Sequence, residues 1–213
     1  TTPFFFLGAQ FANLDMLVAG CISATVLLGA GAALARERDE PWRALLAGAY
    51  LMAAAGLLAK GLIGLVLPGA VLVLWCAATR KTVVLKLALW LPGWAVLLAV
   101  AGPWFVAMQL KYPEFFDYFV ITQHFRRFAS SGFNNEHPFW FYIPVLAVLT
   151  LPWFAWVFVP RGKNGEARSR LSDVDWLMWI WLVVIVAFFS MPRSKLVGYV
   201  LPALPPLAYL VAQ

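Results

Sequence analysis

From Ala44 to Ala78 the chain runs for 35 residues with Lys60 as its one charged side chain. As a single helix this stretch would be about 52 Å long, against a bilayer core of roughly 30 Å. It is too long for one crossing and is predicted to form two short spans. The break falls at Ala59-Lys60-Gly61, where glycine lets the chain turn and the lysine reaches an interface. Further apolar runs cover Met16 to Ala35, about Leu87 to Met108, Pro138 to Val159, Val174 to Met191 and Leu196 to Ala212. Pro92 and Pro103 are expected to kink the second of these. With 63% hydrophobic and 12% charged residues, against about 45–50% and about 25% in soluble domains, a soluble fold is excluded. The chain is read as one transmembrane domain over residues 1–213, an all-α polytopic helical bundle. It opens at Thr1 without a methionine or a signal-type segment and stops at Gln213 inside an apolar run, and is therefore read as a fragment of a longer protein.

Charge tests that division, because successive connections alternate sides and Lys and Arg collect on the cytoplasmic one. Arg36, Arg38 and Arg43, then Arg80, Lys81 and Lys86, then Arg161, Lys163, Arg168 and Arg170 all fall in connections of one parity. Ten of the 16 basic residues are thereby assigned to the cytoplasm. Had Ala44 to Ala78 been one span, the first two of these loops would lie on opposite faces. The net charge of +6 is thus largely topological, and no nucleic-acid partner is expected. Cys21 and Cys76 both lie inside apolar runs, which argues against a disulfide framework or a paired zinc site.

Lys60, Lys111, Arg126, Arg127, Arg193 and Lys195 map to the outer side, against the topological bias. Cations held near lipid depth are costly and usually serve an anion or a pathway. At that depth the anion to hand is a lipid phosphate, which arginine grips through its bidentate fork and lysine as a point charge. Tyr112 to Phe128 reads as an interfacial helix, with Pro113 at its first turn, acids early and arginines late. Phe116, Val120 and His124 form a stripe with Arg127 three residues beyond the histidine, so His124 and Arg127 can meet one ligand. Lys195 and Tyr199, four residues apart, are expected to share a phosphate oxygen. Each candidate also has a plainer reading. The arginines can bind headgroups, Asp15 can be a helix N-terminal acid, Lys60 can snorkel, and Lys195 can anchor a helix start. His137, before Pro138, reads as a cap or surface residue. No Walker loop, dinucleotide fingerprint, HExxH motif or nucleophile elbow occurs.

Five segments occur in order: Gln10-Phe11-Ala12-Asn13-Leu14-Asp15-Met16, Leu57-Leu58-Ala59-Lys60-Gly61, Tyr112-Pro113-Glu114-Phe115-Phe116 running to Gln123-His124-Phe125-Arg126-Arg127-Phe128, His137-Pro138-Phe139-Trp140-Phe141-Tyr142, and Lys195-Leu196-Val197-Gly198-Tyr199-Val200-Leu201-Pro202. Over nearly the whole chain they resemble the bacterial aminoarabinose transferase family, polyprenyl-phosphate-sugar-dependent glycosyltransferases related to protein O-mannosyltransferases. The resemblance implies a GT-C type fold with an interfacial helix in a periplasmic loop, in the bacterial inner membrane with the active site facing the periplasm. It implies a sugar donor on undecaprenyl phosphate and an acceptor that is lipid A or another glycolipid. It places Lys60, Arg127, Lys195 and Tyr199 around the donor phosphate, with His124 and Asp15 in the same cavity. The catalytic acid it implies belongs to a loop preceding Thr1, so the fragment alone is expected to be inactive. A divalent metal, held by His124 with an acid from that loop, is the one cofactor it leaves open. The rival readings are a transporter or flippase of a lipid-linked anion, which needs the cations but no base, and a non-catalytic membrane subunit.

Overall fold

A computed structural model of the protein describes residues 14–119, 136–151 and 171–212. The first apolar run is one helix, α1 (Leu14–Glu37), about 36 Å long at the helical rise and sufficient to cross a bilayer. Its buried side is built from small residues, among them Ala19, Cys21, Gly29, Ala30, Ala32 and Ala33. Apolar burial gives little net drive between helices in lipid, so close van der Waals approach carries the association. Two helices pack on that side, α2 (Arg43–Lys60) and α3 (Ile63–Thr79). Polar side chains inside α1 bond to their own helix: Ser23 Oγ donates to the Ala19 carbonyl at 2.7 Å and Thr25 Oγ1 to that of Cys21 at 2.8 Å.

The 35-residue run is the predicted hairpin. Gly61 ends α2 at φ 81° and ψ −155°, a conformation open to glycine and strained for other residues. Beyond the turn, α3 recrosses so close to α2 that a methyl group at Gly64 would lie 2.7 Å from the Gly56 Cα.

A short helix, α4 (Val83–Ala88), precedes the long α5 (Leu91–Lys111). The expectation that Pro92 kinks this span is corrected. Pro92 sits in the first turn of α5, where a missing N–H costs no hydrogen bond and the fixed φ suits helix entry. Leu87 and Ala88, assigned from sequence to the same span, belong to α4. Pro103 lies inside α5, as expected. The start of α5 is tied to α2 by Tyr50, whose hydroxyl donates to the Ala88 carbonyl at 2.7 Å while its ring covers Gly93. At the far end Tyr112 leaves the helix in an extended conformation. Gln109 then holds the turn: its Nε2 donates to the Pro113 carbonyl at 2.7 Å and its Oε1 accepts from the Phe116 N–H at 3.0 Å. The predicted interfacial helix starts at Phe115.

The next described stretch begins at Glu136 and enters α6 (Tyr142–Leu149) through a 3-10 turn at Phe139–Phe141. The next described span, α7 (Asp173–Ser190), opens with a capping box between Ser172 and Asp175. The run Leu196 to Ala212 is divided, a 3-10 stretch at Val197–Ala203 leading into α8 (Leu204–Ala212). Pro202 offers no N–H to an α-helix, whereas Pro205 and Pro206 lie in the first turn of α8, where none is needed.

Four helices, α1, α2, α5 and α7, are long and apolar enough to cross a membrane, with α3 slightly shorter, so the protein is multi-pass. The charged connections meet at one end of the bundle, as loop parity requires. Lys81, after α3, forms ion pairs with Glu37 at the end of α1 and with Asp173 at the start of α7, the latter at 3.0 Å. Trp75 Nε1 also donates to the Asp173 carbonyl at 2.8 Å. Burial alone would lower the Lys81 pKa, but the hydrogen bonds and Coulombic attraction of Glu37 and Asp173 together raise it. A folded-state pKa above the unfolded one stabilises fully below the unfolded value of about 10.4 and is lost as pH climbs through the raised value. Lys81→Met is therefore expected to lower stability at neutral pH by about 1 kcal/mol. Thermal unfolding in detergent should show the gap closing as pH rises through the raised lysine pKa. A gap that does not narrow under alkaline conditions would mean that Lys81 acts through packing rather than charge.

Candidate functional site at the hairpin end

Opposite the Lys81 cluster, three elements converge: the first turn of α1, the last turn of α2 and the 3-10 stretch after α7. Asp15 enters from α1 and Lys60 from the end of α2, and the two form an ion pair. Each charge sits at the helix terminus whose dipole favours it, the acid at an N-terminus and the cation at a C-terminus. Asp15 is 9% exposed and the Lys60 side chain 28%, so the lysine is the partner that a ligand can reach. Its ammonium also lies 4.4 Å from the ring centroid of Tyr199, a cation–π distance. Tyr199 leans in turn on Phe189 of α7, centroid to centroid 5.4 Å. Two residues that looked ordinary by spacing, Asp15 and Lys60, are thus brought together across 45 positions.

Gly198 belongs to this cluster and was not singled out from sequence. A Cβ there would stand 2.9 Å from Asp15 Oδ2, so glycine lets the carboxylate lie against the backbone beside Tyr199. The signal for it was the Gly-Tyr pair within Lys195 to Pro202.

Lys195 is placed differently from the expectation that it shares a phosphate oxygen with Tyr199. That pairing needs one continuous helical turn, and Leu196 is extended, with φ −121° and ψ 144°. Lys195 is instead 2% exposed, its Nζ donating to the His137 carbonyl at 2.8 Å and the Pro192 carbonyl at 2.5 Å. Burial lowers its pKa. His137 is a structural partner more than a cap: its ring stacks on Phe141 at 4.1 Å, and its N–H donates to the Arg193 carbonyl at 3.1 Å. The remaining candidates, His124 and Arg127, lie outside the described residues. Among the described residues no three His, Cys, Asp or Glu side chains converge as a metal site would require.

The site therefore offers a reachable cation, backed by a carboxylate and an aromatic face, at one end of a membrane-spanning bundle. That arrangement suits an anion carried on a lipid, and it contains no paired acid and base among the described residues.

No family model matches the chain. It is 34% identical over 184 residues to an undecaprenyl phosphate-alpha-4-amino-4-deoxy-L-arabinose arabinosyl transferase of Pectobacterium carotovorum, covering 85% of this chain and 32% of that protein. It is 38% identical over 159 residues to the Sodalis glossinidius transferase 1 of the same name, covering 74% and 28%. The structure superposes on ArnT from Cupriavidus metallidurans bound to undecaprenyl phosphate with a TM-score of 0.78 and 28% identity, over 96% of this chain and 37% of that one. The apo state of the same protein gives 0.76. The chain spans about a third of the length of the curated relatives it matches, and the likeness bears out the polytopic GT-C type fold expected from sequence.

Proposed function

We propose that this chain, which belongs by sequence and by fold to the aminoarabinose transferase family, forms the donor-phosphate half of a membrane glycosyltransferase. The enzyme would move a sugar from undecaprenyl phosphate to lipid A or another glycolipid on the periplasmic side of the bacterial inner membrane. The observation that carries this reading is the Asp15–Lys60–Tyr199 cluster, at the end of the bundle remote from the basic loops. A reachable cation on the non-cytoplasmic side has an evident use if the group it meets is a lipid phosphate.

The chemistry follows from the leaving group. As the glycosidic bond breaks, negative charge develops on the phosphate, and cations already fixed there stabilise that charge without reorganising. Lys60 is fixed by Asp15 and by the Tyr199 ring, and the phenol of Tyr199 supplies a neutral donor. Arg127 is assigned to the same phosphate, where its fork would bind two oxygens, and His124 to the cavity wall. The base or acid that activates the acceptor is assigned to the remainder of the longer protein.

The test is transfer from an undecaprenyl-phosphate sugar by the full-length protein carrying Arg127→Ala or Tyr199→Phe. A loss of about a hundredfold is expected for the arginine and about tenfold for the tyrosine, in line with the removal of a charged and a neutral transition-state donor. Turnover unchanged in both would remove the phosphate from this end of the bundle.

A further inference from the structure

Two loops at the site end are stitched into one unit, and Lys195 lies at the seam. One loop carries Glu136 and His137 into α6; the other, from Met191 to Leu196, joins α7 to the 3-10 stretch that bears Gly198 and Tyr199. An isolated antiparallel bridge links Glu136 to Ser194. The His137 N–H donates to the Arg193 carbonyl, and the hydroxyl of the fully buried Tyr142 donates to the Leu196 carbonyl at 3.0 Å. The Lys195 ammonium adds two bonds in opposite directions, across the seam to the His137 carbonyl and back to the Pro192 carbonyl just past the end of α7. A buried ammonium is costly unless its donors are satisfied, and among the described residues no carboxylate ion-pairs with it. Carbonyls at a helix C-terminus suit a cation, since the negative end of the dipole is there.

We propose that Lys195 is a positioning residue that joins these two loops and thereby fixes Tyr199 over Lys60, and that it does not itself touch the donor phosphate. This rests on the assignment of Tyr199 and Lys60 to that phosphate. At 2% exposure the ammonium is covered, with its near surroundings formed by backbone oxygens that repel an anion. Its effect reaches the site through the backbone: Leu196 follows it directly, the Tyr199 N–H donates to the Leu196 carbonyl at 3.1 Å, and Gly198 seats Asp15. Loss of the staple frees the segment on which the phenol is mounted.

Steady-state transfer by the full-length protein separates the two roles. A staple needs a hydrogen-bond donor, whereas a phosphate ligand needs a charge. Lys195→Met is expected to lower kcat about tenfold while the KM for the undecaprenyl-phosphate sugar stays within about twofold. Lys195→Gln, which keeps a neutral donor, should recover at least about threefold of that loss. Combined with Tyr199→Phe, Lys195→Met should add little to the single tyrosine change, because it acts through the same phenol. If Lys195→Met does not accumulate in the membrane, Lys195→Gln and its double variant with Tyr199→Phe provide the same comparison. A donor KM raised tenfold in both Lys195 variants, or full additivity with Tyr199→Phe, overturns the proposal and leaves the phosphate site intact. Wild-type turnover in Tyr199→Phe and Lys60→Met alike overturns the site assignment and the staple with it.

Discussion

Replacing Lys60 with methionine is expected to reduce sugar transfer by the full-length protein at least a hundredfold and to lower its stability, and adding Asp15→Asn should restore the stability alone. The two effects have different origins. On the proposed site, activity falls because a fixed cation is withdrawn from beside the departing phosphate, and loss of one such group costs about 10²–10³ in rate. Stability falls because Asp15, 9% exposed, loses its ion pair with Lys60. Breaking a fully buried pair costs about 3–5 kcal/mol and an exposed one less than about 1. With Lys60 at 28% exposure, the loss should be about 2 kcal/mol. In the double variant the amide removes the carboxylate charge that Lys60 balanced, so the thermal midpoint recovers while the phosphate still lacks the Lys60 cation. The measurement is thermal unfolding in detergent beside transfer from the lipid-linked sugar. A double variant that regains activity would show that Lys60 serves only to neutralise Asp15.

Why the pair was invisible to spacing is instructive. Asp15 in a first turn and Lys60 at a hairpin tip each satisfy a local rule, helix-dipole preference for one and interfacial exposure for the other. Nothing local says that the N-terminus of α1 lies against the C-terminus of α2. The spans themselves were legible, because length against bilayer thickness is a strong constraint and loop charge fixes parity. The hairpin is the clearest case: charge required an even number of crossings between Arg43 and Arg80, and Gly61 marked where to turn. The same argument placed Glu37, Lys81 and Asp173 in connections of one side, and they form one ion cluster.

Where the structure departs from expectation, the reason lies in the backbone. Pro92 was expected to kink a helix because an apolar run shows no start signal, whereas the helix begins next to it at Leu91. Lys195 and Tyr199 have helical spacing, yet Leu196 is extended and the residues beyond it form 3-10 turns, so the i, i+4 argument does not apply to them. The partners of Lys195 are carbonyl oxygens of His137 and Pro192, and a carbonyl leaves no mark in the residue alphabet. Gly198 was passed over for a related reason: its part is to lack a side chain where Asp15 needs the space.

The second large effect is expected at Gly64, a residue with no chemistry of its own. A methyl group there would stand 2.7 Å from the Gly56 Cα and would overlap the Gly56 carbonyl. Both atoms are backbone, so no rotamer change relieves the clash, and α2 and α3 must separate. The movement is resisted from the other side, because a Cβ at Gly56 would already meet Cys21 of α1 at 3.2 Å. Overpacking of this kind costs about 1–3 kcal/mol, and Gly64→Ala should lie near the upper end. The functional consequence follows from position. Lys60 stands midway between the two glycines, at the hairpin tip, so parting the helices displaces its ammonium from Asp15 and from the Tyr199 ring. Misplacement of about 1 Å can cost about a hundredfold in rate, so the protein that does fold should transfer sugar at a small fraction of the wild-type rate. Gly56→Ala should do less, since its nearest contacts are at 3.2 Å and call for a shift of only a few tenths of an ångström. The comparison is made by thermal unfolding and specific activity per folded molecule. Gly56→Ala proving equal to or worse than Gly64→Ala would place the close crossing elsewhere and detach the hairpin geometry from the position of Lys60.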